Sequence, residues 1–221
     1  MWPATDLSIR AVRADALCEH GVRVVSAKHP GARLKSADKP LQKEGTMTSP
    51  ASAVRYTVNR LTVRVGSTPG EFQACYEQAV PPWPEDQVMA LVDRQAPWQE
   101  MLALVTAAAP WGFLIYHKTD ATPVVRLAGD QASGVAYLMG NHTIMERMYR
   151  HEPAVLLYAP LHTVIWGDPD GNGYFTFDKP SDQFASFANP QVAEVGLELD
   201  QKMAALLGHL RVSVPDALLT N

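Results

Sequence analysis

Gly140–Pro180 reads GNHTIMERMYRHEPAVLLYAPLHTVIWGDPDGNGYFTFDKP, and the order of events in it decides the fold. Asn141 is an N-cap residue, and Ile144, Met145 and Met148 after it recur at the spacing of one buried helix face. Two apolar runs follow, Ala154–Tyr158 and Leu161–Trp166. Both read as strand, and they are separated by a kink at Pro160, where no backbone N–H is left to join a ladder. Asp168-Pro169-Asp170-Gly171-Asn172-Gly173 then supplies a turn, and Tyr174–Phe177 returns as a further strand. A helix feeding a hairpin makes a compact α/β unit.

Working outward, residues 54–65 are β-branched and largely alternating, which predicts a strand. Ser67-Thr68-Pro69-Gly70-Glu71 combines hydroxyl cap, first-turn proline and acid at a helix start. Phe72, Cys75, Tyr76 and Ala79 form its inward stripe, with Cys75 read as a buried thiol. Three prolines among Pro81-Pro82-Trp83-Pro84 stop that helix. Helices are predicted over Pro84–Asp93 and Pro97–Ala108, the latter turning Met101, Leu102, Leu104 and Val105 inward. Strands are predicted over Trp111–Tyr116 and Gly134–Met139. Between them, Thr119–Ser133 reads as a loop with a short strand at Val124-Val125. Pro190–Leu210 closes the chain as a long helix burying Val192, Val195, Leu199, Met203, Leu206 and Leu207. The expected fold class is an α/β two-layer sandwich, one mixed or antiparallel sheet covered by helices.

Residues 1–50 stand apart, with basic residues, Gly, Pro and Ser but no sustained period. The expectation is a disordered N-terminal extension, or else a misassigned start with translation beginning at Met47. This segment carries eight Lys and Arg against five Asp and Glu, whereas the remainder carries 11 against 18. A formal net charge of -4 over 221 residues argues against nucleic acid as a partner. No apolar run reaches the ~20 residues that span a bilayer, so no membrane partner is expected and a cytoplasmic location is the default. The cysteines, Cys18 and Cys75, lack metal-type spacing.

Gly140-Asn141, Pro160-Leu161, Asp168-Pro169-Asp170-Gly171 and Pro180 resemble the domain-of-unknown-function-302 (DUF302) family. The family's strand ends in Gly-Asn-Pro, followed by a helix, a Leu-Pro-Leu-type element and an acidic Asp-Gly hairpin. Tyr158-Ala159-Pro160-Leu161 stands where Leu-Pro-Leu is expected. Gly140-Asn141-His142 departs from the Gly-Asn-Pro pattern. The resemblance implies a single DUF302-like α/β domain over residues 54–212, a homodimer, and no established activity.

Candidate sites are few. Asp168, Asp170, Asn172 and Gly173 match positions 1, 3, 5 and 6 of a calcium loop, but Lys179 replaces the bidentate Glu at position 12. A plain turn accounts for the same residues, so no metal is expected there. His142, His151 and His162 are close in sequence, yet their spacings match no standard zinc pattern. His142 and His151 fall in the first and last turns of one helix. His162 lies in an apolar strand expected to face the core, either as a satisfied structural histidine or turned into a cleft at Pro160. Trp83, Trp98, Trp111 and Trp166 either line an apolar pocket or are scattered packing. Phosphate-loop, dinucleotide, nucleophile-elbow and Cys-x-x-Cys motifs are all missing, and no cofactor is implied. Two functions follow. The first is a noncatalytic small-molecule-binding or interaction module with its cleft beside Gly140-Asn141 and Pro160-His162, using Asn141, His142, Arg150 and His162. The second is an enzyme with His162 as acid/base, its anionic substrate held by Arg150 or Asn141 at a helix N-terminus.

Overall fold

The structure is a computed structural model that describes residues 51–220. The expected N-terminal extension and the alternative start at Met47 lie outside the described residues.

Among the described residues, five strands form one open antiparallel sheet: β1 (Arg60–Arg64), β2 (Leu114–Asp120), β3 (Ser133–Gly140), β4 (Leu161–Gly167) and β5 (Gly173–Asp178), in the spatial order β1-β5-β4-β3-β2. Every pairing is antiparallel. The helices are α1 (Pro69–Ala79), α2 (Glu85–Asp93), α3 (Trp98–Ala108), α4 (Thr122–Arg126), α5 (His142–Tyr149), α6 (Pro180–Ala185) and α7 (Pro190–His209). The two-layer α/β expectation is met.

Alternation along the strands divides the sheet into a covered and an open face. Leu161, Thr163 and Ile165 of β4 are buried together with Phe175 and Phe177 of β5 and Val135, Tyr137 and Met139 of β3. Helices α1 and α7 supply the other side of this core through Phe72, Tyr76, Leu199, Met203, Leu206 and Leu207. Fully burying each such side chain stabilises the fold by about 1.5–3 kcal/mol. Tyr76 carries a hydroxyl into this core, where it meets Thr163 Oγ1 at 3.1 Å and the Met139 sulfur at 3.1 Å. Asp200 of α7, also buried, accepts the backbone N–H of Ser181 at 3.0 Å and so ties α7 to the start of α6.

Several local expectations are corrected. Over residues 54–65 only Arg60–Arg64 is strand, because β5 offers six residues to pair with. Just before β1, Asn59 gives its backbone and side-chain N–H groups to Asp182 instead. The strand expected at Trp111 begins at Leu114, after Gly112 turns the chain at φ 81°. Val124 and Val125 lie in α4, opened by an Asp120 carboxylate that accepts the Thr122 N–H. Ala154–Tyr158 is not a strand: Pro153–Leu157 forms a 3-10 turn, capped by the Glu152 side chain on the Ala154 N–H. Cys75 is exposed, since the buried face of α1 runs through Phe72, Tyr76 and Ala79 and leaves Cys75 beside it. Leu102 is likewise exposed, while Val105 is the buried residue of α3. Helix α6 carried no period strong enough to predict it. The cap of α1 is Thr68, in a reciprocal box with Glu71.

Candidate functional site

Strand β3 ends at Gly140 and the chain enters α5 without a loop, so Asn141 must both turn and cap. Its Oδ1 accepts from Thr143 N at 2.9 Å, Thr143 Oγ1 at 2.7 Å and Ile144 N at 3.4 Å. Its Nδ2 donates to the Gly112 carbonyl at 3.1 Å. The amide is fully engaged in holding the junction. Gly140 is required there for close approach: a Cβ would stand 3.1 Å from the Tyr116 ring and 3.5 Å from the Pro160 backbone. The Gly-Asn pair thus lets β2, β3 and the Ala159–Pro160 segment, whose peptide bond is cis, converge on one point.

A cavity of about 250 Å³ opens at that convergence. From α5 it is lined by His142, Ile144, Met145 and Met148; from the β2 side by Phe113 and Tyr116. Leu156, Ala159, Pro160 and Leu161 close a third wall, and Phe184 of α6 with Leu199 of α7 complete it. Among the described residues, no Asp, Glu, Lys or Arg contributes to the lining. Leu156 is exposed while Met145, His142 and Tyr116 are half-buried, which marks the rim.

One polar pair stands at the rim. His142 Nδ1 and the Tyr116 hydroxyl are 2.7 Å apart, their rings edge to face at 4.8 Å. The Trp83 ring lies 4.6 Å from His142 and 5.0 Å from Tyr116. Trp83 is fixed by backbone bonds along β2, its N–H donating to Ile115 O at 2.8 Å and Ile115 N–H donating to Pro81 O at 2.9 Å. Burial holds the His142 imidazole below its usual 6.5, and burial raises the Tyr116 phenol well above 10 despite the opposing His142 backbone. Both are therefore neutral at pH 7.

Of the four residues singled out from sequence, the structure brings two to this cavity and leaves two elsewhere. Asn141 and His142 line it. Arg150 is exposed beyond the end of α5 and forms an ion pair with Glu146. His162 is exposed on the open sheet face, opposite Leu138, which corrects its expected core-facing placement. The reason is the two-residue period: Leu161 and Thr163 point inward, so His162 cannot. Among the described tryptophans, Trp111 stacks on His209, Trp98 is exposed, and Trp166 stacks on Tyr174 across the open face; only Trp83 attends the cavity rim. Tyr116, Phe113, Phe184 and Leu199 carried no sequence signal as a group, because five separate segments deliver the lining.

The Asp168 turn is built otherwise. Asp168 Oδ1 accepts the N–H groups of Asp170 and Asn172, and Oδ2 accepts Asn172 Nδ2 and the Tyr174 hydroxyl. These hydrogen bonds, that from the Asn172 side chain foremost, hold its carboxyl below 3.8. Gly171 takes φ 83°, as the hairpin turn requires. Among the described residues, no three His, Cys, Asp or Glu side chains are grouped to hold a metal ion. Nor is any described helix long and apolar enough to cross a membrane.

Known proteins agree with this architecture. Residues 103–210 match the family model described as domain of unknown function DUF302. No curated protein matches the chain in sequence. In fold the chain is similar to the crystal structure of an uncharacterized conserved DUF302 protein from Bacillus stearothermophilus, at 16% identity and a TM-score of 0.50. That likeness covers 69% of this chain and 98% of the other. Strand β1 and helix α1 precede the matched residues yet share the sheet and core with them. Over residues 103–210, then, the chain is similar to DUF302, the family that its Gly140–Pro180 stretch resembles.

Proposed function

We propose that the protein is a noncatalytic module that binds a small, largely apolar molecule in the cavity beside Gly140 and α5. The observation that carries this reading is the enclosure itself: about 250 Å³ bounded by aromatic, aliphatic and thioether side chains, with one polar pair at the rim. Ligand sites have this makeup, a mostly apolar wall with few placed polar groups. An apolar cavity of about 150 Å³ already takes up benzene, so the space suits a single aromatic ring or a short alkyl chain. Enzymatic use of His162 finds no comparable support, since that imidazole and the cavity lie on opposite sheet faces.

Calorimetric titration with indole and with 1-hexanol tests the reading. Saturable one-to-one binding of either, lost in Met145→Trp, is the expected result, because an indole at this half-buried rim position fills the opening. A protein that takes up neither probe overturns it. The homodimer implied by the family resemblance, and a cytoplasmic location, belong to the same proposal; light scattering of the purified chain tests the former.

A further inference from the structure

We infer that the cavity selects an uncharged molecule whose single hydroxyl or carbonyl group meets the His142–Tyr116 pair, and that it rejects the matching carboxylate. This rests on the cavity being a binding site and goes further by assigning the ligand's charge and its point of attachment.

Three observations carry it. Among the described residues the wall holds no cation: every one that lines it is apolar or neutral, and Arg150 is outside with Glu146. Lys202 lies beyond Gly112, near Glu198 at 3.6 Å, and borders a separate cavity. At the N-terminus of α5, the usual anion trap, the amides that follow His142 are already taken. Thr143 N and Ile144 N bond to Asn141 Oδ1, and Met145 N bonds to Asn141 O at 2.9 Å. The remaining polar atoms are those of two half-buried neutral rings, one Tyr hydroxyl and one imidazole, and the burial that keeps His142 unprotonated denies an anion its candidate counterion. A hydroxyl or carbonyl needs a single hydrogen bond on entering such a site, which this pair offers, whereas a carboxylate would surrender its hydration without compensation. Trp83, tilted against His142 with ring centroids 4.6 Å apart, holds that ring in place, so the polar contact is preset rather than recruited.

The test compares toluene, benzyl alcohol and benzoate at pH 7 with the full chain, by ligand-observed NMR titration. Expected are saturable binding of benzyl alcohol and an affinity for benzoate weaker by about tenfold or more. In Tyr116→Phe, which keeps the ring and His142, the advantage of benzyl alcohol over toluene should shrink. Benzoate binding as tightly as benzyl alcohol overturns the inference while leaving the cavity reading intact. An unchanged alcohol-to-toluene ratio in a folded Tyr116→Phe protein overturns the assignment of the polar contact. Failure of all three probes removes the binding reading itself, and the inference with it.

Discussion

The Gly140-Asn141-His142 junction and the Asp168–Gly173 hairpin are the two polar turns that looked most like sites, and they end up in opposite circumstances. Each is organised by one side chain that accepts several hydrogen bonds, Asn141 in the first and Asp168 in the second. At the junction, four other segments close over the turn and leave an apolar space with a His–Tyr pair at its edge. At the hairpin, the carboxylate is consumed by its own loop and faces solvent. Local chemistry is therefore similar, and the difference lies in what packs next to it. A polar turn becomes a candidate site when other elements enclose space beside it.

The comparison can be broken at several points. The largest effect should come from the enclosure: Phe184, fully buried in the cavity wall, should cost about 3–5 kcal/mol on truncation to Ala, read from urea unfolding. A loss near zero would mean that α6 does not help to close the cavity. Next comes the cap. Asn141→Ala removes the acceptor of both first-turn amides and should cost about 1–2 kcal/mol. Asp168→Ala, at an exposed turn, should lower stability measurably less; equal losses at the two positions would dissolve the contrast drawn between them.

Smaller effects are expected from pH. His142 is held below 6.5 in the folded chain, so the unfolded chain binds its proton first on acidification. Stability should be full above pH 6.5 and fall as pH drops toward the folded value, a slope that His142→Gln removes. Asp168 repeats the sign in a lower window: its depressed carboxyl stabilises above 3.8 and loses that contribution as pH falls further. Urea midpoints between pH 3 and 8, in the parent and in each variant, separate the two windows. A parent midpoint that rises on acidification from pH 7 to 5 would contradict the buried-imidazole account.

Local and periodic features were legible from the residues alone. The helix over Pro190–His209 and its buried stripe, the Thr68–Glu71 start of α1, the Asn141 cap and the strands around the Asp168 turn all depend on neighbours within a few positions. Three errors of strand assignment share one cause. Residues 54–58, Val124-Val125 and Ala154–Tyr158 have strand-like composition, but a strand exists only where a partner strand pairs with it, and these segments join no ladder. Cys75 was misplaced because a stripe at i, i+3, i+4 and i+7 is wider than the contact α1 makes.

By itself, then, the sequence determined the α/β class, most element positions, the likeness to DUF302 and the Gly-Asn junction, since caps, turns and hydrophobic periods are short-range chemistry. Tertiary structure alone decided which polar residues share a space. It set Tyr116 against His142 across 26 positions of chain, brought Phe184 and Leu199 from the C-terminal helices to the same wall, and turned His162 to the far side of the sheet. Such a site is a product of long-range packing, and packing assembles side chains whose order along the chain bears no trace of their meeting.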